Sequence, residues 1–262
     1  VASSRRLRAL ITNDDGIDSP GLHALAGLAR DAGFDVVVAA PHEDASGVSA
    51  SVKAMRAGDG AVRLHRHDIP SLPGIEAYAV EAHPAFIVHA SGRGWLDPEP
   101  DIVLSGVNFG ANVGRAVLHS GTVGAALTAS LHGWRAIAFS LDSGWEIPEN
   151  PHWDAVAHVL PQLLDVLLAA DEGTVLSVNV PDRPAAELGP LREARLSEFG
   201  MATITVRHHD EVDASVLRAT ADDLVSEPDP ESDVALLAAG HPTVTSLVSV
   251  AAHPGVLQVA GV

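Results

Sequence analysis

Asp101-Ile102-Val103-Leu104-Ser105-Gly106-Val107-Asn108-Phe109-Gly110-Ala111-Asn112-Val113-Gly114 begins as an apolar run and ends as a loop of glycine and asparagine. His119-Ser120-Gly121-Thr122 comes next and opens an alanine-rich stretch of helical composition. A strand, a loop whose backbone can approach a ligand closely, and a helix start bearing hydroxyls make up the arrangement that receives anions in open α/β proteins. The neighbouring segments supply the sheet in which such a pocket would sit.

Upstream, residues 7–12 read as a short buried strand that Asn13-Asp14-Asp15-Gly16 breaks with turn-forming residues. Ser19-Pro20 provides an N-cap and a first-turn proline for a helix with Leu22, Leu25, Leu28 and Ala29 on one face, ending at Gly33. The unbroken apolar run 36–40, stopped by Pro41, fits a parallel strand covered on both sides. Strand, helix and strand form a βαβ unit. A loop is expected over 41–51, strands over 61–65, 77–80, 102–104, 136–140 and 175–180, and helices over 84–91, 122–132 and 153–168. This alternation predicts a doubly wound, mostly parallel sheet.

Past Pro181 the rhythm changes. Residues 184–191 are loop-like, 203–206 alternate as an exposed strand does, and 222–233 are acidic with prolines. A helical turn over 233–239 and a strand over 243–250 follow. The expected division is a catalytic core over 1–182 and a C-terminal extension over 183–262, containing a hairpin arm and a strand that returns to the core.

The 262 residues suffice for one large α/β core with an appendage. Aromatics are only 4%, so Ala, Val and Leu must fill that core. A formal net charge of -18 opposes nucleic-acid polymers and anionic membrane surfaces, because both need a basic face. With no cysteine there is neither disulfide framework nor thiol chemistry. The opening eight residues hold no apolar signal segment, and no later run approaches a membrane span, so a cytoplasmic location is expected.

Asp14 and Asp15 follow the first strand at its carboxyl end, where ligands bind in such sheets. Adjacent carboxylates repel unless a cation lies between or beside them. A turn and helix-capping pair is the plain alternative. Ser46, in the loop after the second strand, and Asn108, in the loop after a further sheet strand, add a hydroxyl and an amide oxygen. Such an all-oxygen set suits Mg²⁺ or Mn²⁺ better than zinc. Ser120, Gly121 and Thr122 offer amides and hydroxyls at a helix start, where an anion is favoured, although a simple capped helix would look the same.

Four strings in register carry a resemblance to the SurE survival-protein family. They are Thr12-Asn13-Asp14-Asp15-Gly16; Ala40-Pro41 followed by Ser46-Gly47; Ser105-Gly106-Val107-Asn108 with Gly110, Asn112 and Gly114; and His119-Ser120-Gly121-Thr122-Val123. They span roughly the first 140 residues, and 240–247 resembles a later family strand more weakly. The resemblance implies a Rossmann-like core, a C-terminal segment exchanged between partners of a homodimer or homotetramer, and a divalent-metal-dependent phosphomonoesterase acting on nucleoside 5′- and 3′-monophosphates. By position it implies metal ligands at Asp14, Asp15, Ser46 and Asn108, with Asn13, Asn112, Ser120, Gly121 and Thr122 bordering the phosphate.

Two segments depart from the family pattern. His42-Glu43-Asp44-Ala45 stands where relatives carry a basic loop, and Ala82-His83-Pro84-Ala85-Phe86-Ile87 stands where Gly-Thr-Pro-Ala-Asp-Cys is common. These leave open a phosphorylated intermediate of specialised metabolism as the substrate. A non-catalytic nucleotide-binding protein of the same fold is the other alternative. A dinucleotide oxidoreductase is disfavoured, since the first strand turn lacks Gly-x-Gly-x-x-Gly.

His65 with His67, and His208-His209-Asp210, can be drawn as transition-metal sites but read more simply as solvated histidines of a His-rich chain. His119, at the pocket edge, is a candidate proton donor to a leaving alkoxide. The acidic run 222–231 reads as a solvated face.

Overall fold

The structure, a computed structural model, describes residues 5–53, 61–144, 148–198, 203–211, 214–222 and 229–252. A nine-stranded sheet forms the frame. Its strands are β1 (Arg8–Thr12), β2 (Asp35–Pro41), β3 (Leu64–Arg66), β4 (Glu76–Val80), β5 (Ile102–Phe109), β6 (Arg135–Asp142), β7 (Val175–Pro181), β8 (Arg192–Glu193) and β11 (Thr243–Leu247). Strands β9 (Thr203–Glu211) and β10 (Ala214–Asp222) pair antiparallel in a separate two-stranded sheet, on the segment expected to form a hairpin.

The order across the sheet is β3-β4-β2-β1-β5-β6-β7-β11-β8. All pairings from β4 through β7 are parallel, while β3 joins β4 and β11 joins β7 in antiparallel fashion. The chain therefore winds outward from β1 in one direction to β2 and β4, then returns to place β5 on the other side. The gap between the carboxyl ends of β1 and β5 is the switch point of this Rossmann-like fold, the place where such sheets open a crevice.

Helices cover both faces. On one side lie α1 (Pro20–Asp31) and α4 (Trp153–Ala169), whose leucine and alanine faces pack with Ile11, Val38, Leu104 and Phe139. On the other lie α2 (Pro84–Ala90) and α3 (Gly121–Ser130), packed over Leu10, Val37, Val103 and Ala138. Odd and even positions of each central strand thus serve opposite layers, which is why these strands are apolar without a break. α3 is buried nearly all round, consistent with its run of Gly, Ala and Val in place of an amphipathic pattern. A short helix α5 (Asp233–Ala238) precedes β11.

Most elements fall within a residue or two of their expected bounds. β5 departs furthest in its consequences, continuing through the glycine-rich segment to Phe109 instead of ending at Leu104; β9 also runs past 206 to Glu211, β3 begins at Leu64 instead of 61, and β11 ends at Leu247 instead of 250. The register of β5 against β6 shifts between Ser105 and Asn108. Gly106, at φ +124°, makes this possible: a Cβ there would lie 2.3 Å from the Phe139 carbonyl oxygen. The motif read as loop is an irregular strand end, held in the sheet by pairing to β6.

No helix among the described residues is long and apolar enough to cross a membrane.

Candidate metal and phosphate site

Asp14 is buried at the end of β1, facing the start of α3. Thr122, itself fully buried, donates its hydroxyl to Asp14 Oδ1, and the same Oγ1 lies 3.4 Å from Asn108 Oδ1. The Asn108 amide nitrogen donates to the carbonyls of Phe109 (3.0 Å) and Gly110 (2.8 Å), which turns its oxygen toward Thr122. Gly121 permits the approach, since a Cβ there would sit 2.6 Å from Asp14 Oδ2. The turn after β1 thus meets the end of β5 and the start of α3, about a hundred residues further along the chain, at the switch point.

Electrostatics set this place apart. Burial pushes the Asp14 carboxyl above the usual carboxylate range, against the Thr122 hydroxyl and the backbone amides of Gly121 and Thr122. Asp15 is pushed up to about 7, first by burial, then by the charges of Asp14 and Asp44; the Phe109 backbone amide opposes the shift. Asp44 belongs to the loop that departs from the family pattern, so the departure brings a further negative charge toward the pair.

The other sequence candidates are distributed around this centre. The Ser46 loop is tied in where the Ala45 amide donates to the Asp14 carbonyl at 2.7 Å; Ser46 itself is exposed and its amide donates to Asp44 Oδ1 at 2.6 Å. Asn13 is fully buried and spends its side chain on Gly16, accepting from its amide and donating to its carbonyl. Ser120 caps α3, its hydroxyl accepting from the Val123 amide at 3.1 Å. Asn112 donates to Ser140 Oγ at 2.8 Å, and its backbone is clamped by Asn179. His119 is exposed at the end of a 3₁₀ turn, Gly114–His119, with its carbonyl accepting from the Ser49 amide.

The donor chemistry fits a hard divalent cation. Asp15 Oδ2 is buried and has no hydrogen-bond partner, an arrangement that is costly unless the oxygen meets positive charge. Asp14, Asp15, Asn108 and Ser46 together offer only oxygen. Among the described residues no three of His, Cys, Asp and Glu converge as a metal-ligating group, so a cation here would draw part of its shell from amide and hydroxyl oxygens. His65 instead faces Glu81 at 3.3 Å and His67 faces Asp18 at 3.1 Å. The backbone of His208, His209 and Asp210 is in β9, and their side chains lie outside the described residues, as does most of the acidic run 222–231.

Sequence reasoning missed three contributors. Asn179 and Ser140 hold Asn112 from neighbouring strand ends, and each is a polar residue near the carboxyl end of an otherwise apolar parallel strand, which is a usable signal. Asp233, buried at the start of α5, accepts from the amides of Gly114 (2.7 Å), Ser197 (2.9 Å) and Val234 (2.9 Å). It pins the C-terminal extension to the Asn112–Gly114 loop, and no local motif announces a contact across such a separation.

The family model described as survival protein SurE matches residues 9–203. A protein of Stenotrophomonas maltophilia named 5′-nucleotidase SurE is 34% identical over 245 residues, covering 92% of this chain and 89% of the relative. One of the same name from Xylella fastidiosa is 37% identical over 195 residues, covering 72% and 70%. The crystal structure of the SurE protein from Aquifex aeolicus superimposes with a TM-score of 0.79 at 26% identity, covering 96% of this chain and 97% of that one.

Proposed function

The chain belongs to the SurE family, and from that premise we propose that it is a divalent-cation-dependent phosphomonoesterase that releases phosphate from nucleoside 5′- or 3′-monophosphates. The observation that carries this reading is the buried, unpartnered Asp15 oxygen beside Asp14 at the switch point. Two abutting carboxylates facing an anionic substrate repel it unless a cation intervenes.

Asp14, Asp15, Asn108 and Ser46 would hold that cation, Mg²⁺ or Mn²⁺. When bound, it supplies Lewis-acid charge to a phosphate oxygen and lowers the pKa of a neighbouring water. The Thr122 hydroxyl and the α3 amides keep Asp14 oriented, and Asn108 is aimed by the Phe109 and Gly110 carbonyls. Asn112, His119 and the Ser120–Thr122 turn border the phosphate, where the positive end of α3 favours gathering charge. His119, exposed at the end of its 3₁₀ turn, would give a proton to the leaving alkoxide. The extension over 183–262 is read as an oligomerisation arm joining two or four copies.

The test is phosphate release from a panel of nucleoside and sugar monophosphates with each divalent cation in turn. Turnover that needs the cation and stops with chelator supports the proposal. Ligand-induced stabilisation without turnover would point instead to a non-catalytic nucleotide-binding protein.

A further inference from the structure

Phe109 follows Asn108 directly, and its amide faces Asp15. Successive residues of a strand send their side chains to opposite faces. Asn108 turns to α3, whereas the Phe109 ring meets Trp153 at the start of α4, with ring centroids 5.6 Å apart and planes inclined by 60°. Trp153 is fixed from behind. Its indole packs with the α1–α4 core and closes on Gly21, where a Cβ would lie 3.5 Å from Cη2. Phe109 rests on that indole and is half-buried, in contrast with Phe139, which is fully buried in the same layer.

Aromatic residues are scarce in this chain, at 4%, and the exposed residues of the neighbouring loops, Asp44, Ser46 and His119, are polar. The half-buried ring, one residue from a proposed metal ligand, is backed by Trp153 and keeps part of its surface exposed. It is well suited to stack a planar group attached to the bound phosphate.

We propose that Phe109, backed by Trp153, is the specificity-determining residue of the site and stacks the nucleobase of the substrate. This rests on the phosphomonoesterase reading above. Stacking accepts any base, because every base offers a π-face. The expected selectivity is therefore for the presence of a base rather than for its identity.

The experiment compares kcat/KM for AMP and for ribose 5-phosphate, both with Mn²⁺, in the wild type, Phe109→Leu and Phe109→Tyr. The ratio of the two constants should fall about tenfold in Phe109→Leu, chiefly through KM for AMP, and return toward the wild-type value in Phe109→Tyr. In the wild type, adenosine should inhibit ribose 5-phosphate turnover, and ribose should not. An unchanged ratio, equal losses on both substrates, or absence of inhibition by adenosine overturns the assignment while leaving the phosphatase reading intact. If the wild type releases phosphate from neither substrate, the phosphatase reading fails and this assignment with it.

Discussion

Thr122 donates its hydroxyl to the carboxylate of Asp14, joining the first residue pair after β1 to the first turn of α3 across more than a hundred residues of chain. The bond lies wholly inside the protein, with Thr122 fully buried and Asp14 nearly so. Breaking it leaves a buried carboxylate short of a donor. Thr122→Val should cost about 1–3 kcal/mol in urea unfolding and weaken Mn²⁺ binding, whereas Thr122→Ser should restore most of both. A Val variant of wild-type stability and cation affinity would show that the bond orients nothing.

Gly121 stands where the approach is tightest. Gly121→Ala brings a methyl to 2.6 Å from Asp14 Oδ2, so either α3 or the carboxylate must shift. A loss of about 1–3 kcal/mol is expected by denaturation, with a larger proportional loss of phosphate release, because the displaced group is a proposed ligand. Equal retention of stability and activity would mean that this end of α3 yields freely.

Asp15 sets stability against function. The residue is half-buried, but one oxygen of its carboxylate is buried and unpartnered, and two other acids crowd it. Asp15→Asn should therefore raise Tm of the metal-free protein at neutral pH by roughly 5 °C while abolishing the Tm increase that Mn²⁺ gives the wild type. Scanning calorimetry with and without the cation reads both effects.

The pH dependence follows from the same residue. Folding raises the Asp15 pKa from 3.8 to about 7, so the folded state holds its proton more tightly than the unfolded chain does. The resulting stabilisation is complete below the unfolded value and disappears as pH rises through the folded one. Metal-free protein should accordingly lose stability between about pH 4 and 7, a loss that Asp15→Asn largely removes. Asp14, also raised, acts in the same direction. Unfolding curves at several pH values that rise over this range would contradict the assignment.

Much of this is legible in the sequence alone. Apolar runs at 36–40, 136–140 and 175–180 announced a covered parallel sheet, since few other arrangements bury both faces of a strand. The turn residues after β1, together with the Asn108 motif, located the switch point, because ligand sites sit at strand carboxyl ends. Less visible was how far β5 extends, as its last residues look like loop and are kept in the sheet only by β6. The anchoring by Asp233 was invisible for a similar reason: its partners, Gly114 and Ser197, belong to other segments. The hydroxyls of Ser120 and Thr122 were readable as ligand donors, but the fold engages one as a helix cap and the other on Asp14. Only packing decides which acceptor a buried hydroxyl meets.

The central claim, one divalent cation gathered by Asp14, Asp15, Asn108 and Ser46, is tested most directly by titrating Mn²⁺ into metal-free protein in an isothermal calorimeter. One ion per chain should bind to the wild type, with binding lost in Asp15→Asn and Asn108→Ala. Undiminished binding in both variants, or none in the wild type, would contradict the account.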